Sequence, residues 1–294
     1  MAGTREPLDR GDARLVAPAK LTTSLRVVGV RPDGYHLLQA EMVALDLADH
    51  LSVRPGGHGL TVTADHGIRA DGLSAGPDNL VNRALAAVGR QAAVRLHKRI
   101  PVQGGLGGGS ADAAAILRWA GCTDPDVAAR LGADVPFCVA GGRATVSGLG
   151  DLVAPLPFRP QAFVLLLPPF GVDTAAVYRA WDRMAADTGR AGGPVGRAES
   201  PAGGGALSEP VNDLTAAALA VEPRLARWRD RLGEVTGATP VLAGSGSTWF
   251  VAGDAAVAAV DGRQWLDVGA ARGRLITARA VPAGWDGDAG ARTG

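Results

Sequence analysis

Between Pro101 and Ala115 the chain reads Pro-Val-Gln-Gly-Gly-Leu-Gly-Gly-Gly-Ser-Ala-Asp-Ala-Ala-Ala. Glycine adopts positive φ freely and lets the backbone approach a ligand closely. Gly104, Gly105, Gly107, Gly108 and Gly109 surround a single Leu106 and run into an alanine-rich stretch that reads as a helix. A helix start offers free N–H groups and the positive end of its dipole. Together these features make an anion cradle. Ser110 is placed to cap that helix or to touch a phosphate or Mg²⁺. The plainer alternative is a flexible loop with Ser110 as an ordinary cap. Position between a strand-like run and a strong helix favours phosphate binding. The stretch is not a Walker A loop, since no Gly-Lys-Ser/Thr follows, and no βαβ unit with a later ribose-binding acid supports a dinucleotide fingerprint.

Other chemistries find little support. The two cysteines, Cys122 and Cys138, have no CxxC partner, and all five histidines lie at or before His97 without metal-ligand spacing. No zinc site is readable, and two isolated thiols suggest a reducing cytoplasm. Net charge is +1, from 30 basic and 29 acidic residues, with no basic stripe of the kind nucleic acid requires. Residues 1–14 are polar, unlike a signal peptide, and the strongest apolar run, residues 162–167, is too short to cross a bilayer. A soluble protein without membrane or nucleic-acid partners is expected.

The elements that would position the cradle follow from local patterns. At 294 residues and 47% hydrophobic content, two packed lobes are affordable. Residues 15–30 read as extended chain, Pro32-Asp33-Gly34 as a turn, and residues 42–53, 60–63 and 93–100 as strands. A helix is expected from Asp78-Asn79 to Val88, another over 110–120, and a short one over 127–131. In the second half, 162–167 reads as a buried strand, 174–186 and 212–232 as helices, and 240–252 as strand, Gly-Ser-Gly turn, strand. A helix over 255–265 and a strand over 275–280 follow. Residues 189–207 are rich in Gly, Ala, Pro and Ser and read as a mobile loop, and 282–294 as a polar tail. Strands and helices mix in both halves without strict βαβ alternation, which argues for two α+β lobes rather than one doubly wound sheet.

With the glycine loop in place, the chain resembles the GHMP kinases over about residues 17–250. The motifs that carry the resemblance, in order, are Pro18-Ala19-Lys20, Arg31-Pro32-Asp33-Gly34-Tyr35-His36, Asp78-Asn79-Leu80, the glycine loop, Leu131-Gly132-Ala133-Asp134-Val135-Pro136-Phe137, Asn212-Asp213-Leu214 and Gly244-Ser245-Gly246. Two positions depart from the family pattern: Thr22 stands where Asn is usual, and Ala243 where Ser or Thr is usual. The resemblance implies a two-lobed α+β fold, with a ribosomal-protein-S5-like N-terminal ATP-binding lobe over 14–159 and a ferredoxin-like C-terminal lobe over 160–282.

It also implies ATP and Mg²⁺, and a small-molecule acceptor whose Asp-Gly-Tyr-His element suits a cytidine-diphosphate sugar alcohol. Asp134 would be the general base, where the residue alone reads as a turn cap. Lys20 would be its cationic partner, where the residue alone reads as a solvated strand lysine. Asn79, Pro101, Gly104, Gly105, Leu106, Gly107, Gly108, Gly109 and Ser110 would bind the nucleotide, with Ser110 the one protein metal ligand. Thr22, Tyr35, His36, Thr174, Gly244 and Ser245 would bind the acceptor. Asn79 alone reads as a helix cap, and so does Asp173-Thr174. The alternatives are another kinase of the superfamily, acting on homoserine, mevalonate or a sugar, and a catalytically silent nucleotide sensor. A monomer or weak homodimer is expected.

Overall fold

The computed structural model describes residues 12–65, 68, 74–102, 104–187 and 210–287. In chain order the first half forms β1 (Ala13–Val30), β2 (His36–Pro55), β3 (Leu60–Ala64), α1 (Leu80–Ala87), β4 (Ala92–Lys98), α2 (Gly108–Trp119), α3 (Pro125–Leu131), α4 (Val135–Ala140), β5 (Arg143–Gly148) and β6 (Leu152–Leu156). The second half forms β7 (Ala162–Leu167), α5 (Thr174–Asp187), α6 (Thr215–Val221), α7 (Leu225–Thr236), β8 (Val241–Leu242), β9 (Trp249–Ala252), α8 (Asp254–Ala259), β10 (Trp265–Val268) and β11 (Ala271–Arg279). The expected mobile loop over 189–207 lies outside the described residues.

β1 and β2 make one long antiparallel hairpin, in register from Ala13↔Val53 to Val30↔His36 and interrupted by three bulges. Gly34 closes its turn at φ +85°. The other edge of β2 is shared: residues 38–43 pair with β5 and residues 50–55 with β4. Parallel β3 and antiparallel β6 complete a six-stranded sheet. α2 packs on β1 and against α1 and α4. Its buried Ala111, Ala113, Ala114 and Ala115 bring it close to the sheet, while Ile116 and Leu117 fill the core.

The second sheet is antiparallel, in the order β10-β11-β7-β9-β8. Its central strand β7 is buried at every position. Phe163, Leu165 and Leu167 point into the core of the first half, whereas Val164 and Leu166 point into a second core with Val177, Leu214, Trp228 and Leu232 from the helices. That double burial explains the unbroken apolar run: a strand covered on both faces has no polar face to alternate with.

Several expectations change in detail. The helix expected over 212–232 is two helices, broken at Glu222-Pro223, because proline at 223 cannot donate to the preceding turn. The helix expected over 255–265 stops at Ala259, and Trp265 opens β10. Strands β5 and β6 come from a stretch to which no element is assigned on sequence. Helix α2 starts at Gly108, not Ser110. Gly107, at φ +69°, is its N-cap, so Ser110 does not cap it.

Candidate active site

The glycine stretch connects β4 to α2 and curves around the side chain of Lys20. Lys20 donates its backbone N–H to Leu106 O at 3.0 Å. A Cβ built on Gly107 would lie 2.7 Å from Lys20 Cγ, so only glycine leaves room for that side chain. Lys20 Nζ then lies 3.3 Å from Asp134 Oδ2 and 3.3 Å from Thr22 Oγ1, to which it donates. Lys20 is almost fully buried, whereas the Asp134 carboxylate is 32% exposed. Asp134 stands at the N-cap of α4 but makes no capping hydrogen bond with its side chain. The carboxylate is therefore partly open to the cleft, and among the described residues Lys20 is its ion-pair partner. The Ser110 side chain lies on the same side, 3.9 Å from where a Cβ on Gly132 would be.

Beneath the cradle sits a buried ion cluster. Lys98 Nζ donates to Asp112 Oδ2 at 2.7 Å and also to Asp49 Oδ2. Asp49 Oδ1 accepts the N–H groups of Arg99, at 2.5 Å, and Ile100, at 2.8 Å. These bonds anchor the point where β4 gives way to the loop. A Cβ on Gly108 would meet Lys98 Nζ at 3.1 Å, so the ammonium lies directly under the loop. Burial works against the Lys98 charge, but Asp112 and Asp49 outweigh it and hold its pKa above the ordinary lysine value. Burial pushes the Asp112 carboxyl up to about 8 against the pull of Lys98. Among the described residues its Oδ1 has no hydrogen-bond partner. No role is assigned to these three on sequence. A lone charge among the buried alanines of α2 is the signal that marks Asp112.

A cavity of about 320 Å³ opens over this floor, lined by Asn79, Lys98, Ile100, Pro101 and residues 104–109. Asn79 does cap α1: its Oδ1 accepts Val81 N–H at 2.9 Å, and its Nδ2 donates to Ser74 O at 2.7 Å. On the Lys20 side of the glycine stretch runs the loop after β8. Gly244, at φ +61°, would bring a Cβ to 3.9 Å from Thr22 Oγ1 and 4.0 Å from Lys20 Nζ. Thr248 Oγ1 donates to Gly104 O at 2.5 Å, tying this loop to the cradle. Ser245 and Thr174 share a hydroxyl hydrogen bond of 2.8 Å, and Asp173 caps α5 by accepting Ala176 N–H. Ala243 is buried in the core, where a hydroxyl would need a partner.

At the far end of the cleft, Tyr35 is 63% exposed while the His36 ring is largely covered. His36 Nε2 lies 2.7 Å from Asp182 Oδ1. Its ring packs against Tyr178 at 4.6 Å and against the edge of Trp181 at 5.5 Å. Burial, then the nearby Asp134 charge, pushes the Tyr178 phenol up to about 12. Tyr178, Trp181 and Asp182 carry no role on sequence. Their i, i+3, i+4 spacing on α5, which puts one helical face toward His36, is the signal that could have found them.

The site thus joins the glycine stretch, a lysine-paired, partly exposed carboxylate and an aromatic-lined end. Among the described residues there is no cluster of three His, Cys, Asp or Glu side chains able to hold a metal, and no helix long and apolar enough to cross a membrane.

Comparison with known proteins identifies the relatives of this chain. Residues 79–142 match the GHMP kinases N terminal domain model. The chain is 43% identical over 246 residues to a 4-diphosphocytidyl-2-C-methyl-D-erythritol kinase of Paracoccus denitrificans, covering 83% of this chain and 87% of that protein. It is 39% identical to a protein of the same name from Salinispora tropica, covering 84% and 85%. Its fold is similar to the crystal structure of a 4-(cytidine 5'-diphospho)-2C-methyl-D-erythritol kinase, with a TM-score of 0.65 and 28% identity over 91% of this chain and 98% of that one. The mevalonate kinase of Methanococcus jannaschii shares the fold at a TM-score of 0.55 and 11% identity, covering 93% of this chain and all of that one. The chain belongs to the GHMP kinases, in the family of the 4-diphosphocytidyl-2-C-methyl-D-erythritol kinases.

Proposed function

We propose that this protein transfers the γ-phosphoryl group of ATP to the 2-hydroxyl of 4-diphosphocytidyl-2-C-methyl-D-erythritol, a step of the non-mevalonate route to isoprenoids. The observation that carries the reading is the Lys20–Asp134 pair at 3.3 Å, open to the cleft beside the glycine cradle. The names and identities of the relatives support the choice of acceptor.

Asp134 accepts the hydroxyl proton as the oxygen attacks phosphorus. Lys20 keeps that carboxylate ionised and offsets negative charge on the transferring group. The backbone N–H groups of residues 104–109 and the start of α2 hold the phosphates, and Asn79 and Pro101 border the adenosine end. Thr22, Gly244, Ser245 and Thr174 surround the acceptor carbon chain. Tyr35 and His36 take the cytidine. Mg²⁺ neutralises phosphate charge when bound. Among the described residues no carboxylate cluster could cage it, so the phosphates would be its main ligands and Ser110 would offer a hydroxyl. Catalysis is positioning and electrostatics.

The lobes divide near residue 160, with 14–159 binding ATP and 160–282 supplying the Gly-Ser-Gly wall. The protein works in the cytoplasm as a monomer or weak homodimer. The test is ADP release with Mg²⁺-ATP and 4-diphosphocytidyl-2-C-methyl-D-erythritol, beside homoserine, mevalonate and no acceptor. Release that depends on the cytidine substrate is expected. Equal release with homoserine or mevalonate refutes the specificity. Silence with every acceptor, in folded protein that binds ATP, refutes the reaction and leaves a nucleotide sensor.

A further inference from the structure

The Asn212-Asp213-Leu214 motif has no part in the chemistry above, yet its asparagine is fully engaged. Asn212 Nδ2 donates to Leu242 O at 2.8 Å and to Gly244 O at 2.6 Å. Its Oδ1 accepts Leu214 N–H at 2.9 Å. Both amide hydrogens are thus spent on the carbonyls that lead into the Gly-Ser-Gly loop. The backbone on either side is tied to the other half of the molecule. Leu25 N–H donates to Val211 O at 2.8 Å, and Asp213 N–H donates to Leu25 O at 3.0 Å. The Asp213 carboxylate accepts Val27 N–H at 3.0 Å and pairs with Arg26, also at 3.0 Å. Residues 211–213 therefore form a strap from β1, three residues beyond Thr22, to the loop that walls the cleft.

The loop so held is close to the reacting groups on two sides. Gly244 borders Thr22 and Lys20, and a Cβ on Gly105 would lie 3.1 Å from Gly246 O. A shift of the Gly244 carbonyl would move the wall of the acceptor site against the Lys20–Asp134 pair.

We propose that Asn212 is a positioning residue for phosphoryl transfer: its carboxamide fixes the Gly-Ser-Gly loop at a set distance from Lys20 and thereby aligns the acceptor hydroxyl with Asp134. The inference deepens the proposed kinase function and rests on it for its kinetic part. The discriminating variant is Asn212→Asp, which keeps shape and the Leu214 bond but puts a carboxylate oxygen against two carbonyls. Losing buried donors and displacing a reacting group should lower kcat with the cytidine substrate about tenfold to a hundredfold. KM for that substrate should rise, while the equilibrium Kd for ATP stays within about twofold, because the cradle is built by a different segment. Arg26→Met, which removes only the exposed ion pair of the strap, should behave as wild type.

A second readout needs no activity. Hydrogen exchange over residues 242–248 should quicken in Asn212→Asp by about tenfold or more, while exchange over 104–112 is unchanged. Wild-type turnover, run alongside, separates the two readings: an inactive wild type sinks the kinase assignment, and exchange still decides whether Asn212 holds the loop. Wild-type kcat and unaltered exchange in folded Asn212→Asp overturn the proposal. So does a parallel loss of ATP binding and turnover. If Asn212→Asp does not fold, Asn212→Ser takes its place. Failure of both to fold assigns Asn212 a structural role instead.

Discussion

Gly107→Ala tests whether the glycine loop shapes Lys20, the proposed partner of the base. At φ +69° an alanine pays the left-handed backbone penalty, about 1–2 kcal/mol. Its methyl would also sit 2.7 Å from Lys20 Cγ and 3.3 Å from Cε. Ordinary carbon contacts are about 3.5–4.0 Å, so loop and lysine must separate by about 1 Å. Lys20 is anchored at its backbone by Leu106 O, so the displacement falls on the side chain and carries Nζ away from Asp134. A misplacement of about 1 Å at a reacting group lowers kcat about a hundredfold. The assay is a double-mutant cycle on kcat, with Lys20→Met as the second change. If the methyl acts through the lysine, Gly107→Ala costs less than about twofold once Lys20 is already Met. Losses that multiply in the double variant, or near-wild-type turnover in the single one, would refute the steric argument. The melting temperature should fall by only a few degrees, about 2–4 °C per kcal/mol for a domain near this size, which separates the kinetic effect from unfolding.

Other consequences are equally direct. Asp134→Asn should keep ATP binding and lose about 10²- to 10⁴-fold in kcat, measured by single-turnover phosphoryl transfer; turnover like wild type would remove Asp134 from the base role. Burial pushes the Asp112 pKa up to about 8 in the folded protein, against about 4 in the unfolded chain. The folded state then binds more protons between those values, so this carboxyl makes stability fall as pH rises from about 4 to about 8. Asp112→Asn should remove that slope, read as the difference in melting temperature between variant and wild type across the window; parallel curves would contradict it. Burial pushes the Cys138 thiol up to about 12, so native protein at pH 8 should react with iodoacetamide at the less buried Cys122 and spare Cys138 until unfolded. Equal labelling of both in native protein would show that α4 opens.

What could be read from the sequence was local. The glycine loop is legible from its own composition, whereas Lys20 and Asp134 read alone as a solvated strand lysine and a turn cap and take a role only through the resemblance to the GHMP kinases. The register of the loop was not readable, because a glycine run carries no side-chain signal for where a helix begins; α2 starts at Gly108 and takes its cap from Gly107. The Asp49–Lys98–Asp112 cluster escaped because its members meet only when β2, β4 and α2 pack together. The same holds for β5, whose pairing with β2 joins Leu38 to Gly148. Tyr178, Trp181 and Asp182 read as one amphipathic helix face until β2 delivers His36 beside them. Asn79 shows that a cap and a cavity wall can be one residue.

The strand β7 has a mechanical consequence. Its alternate side chains belong to two different cores, so neither half can pull away without stripping Phe163, Leu165 and Leu167 from the first or Val164 and Leu166 from the second. Leu167 also reaches the loop, at 2.9 Å from a Cβ placed on Gly104. Jaw-like closure of the whole molecule is therefore closed to it. Adjustment to substrate is confined to side chains and to the loop segments around the cleft, and heat should melt both halves in one transition rather than two.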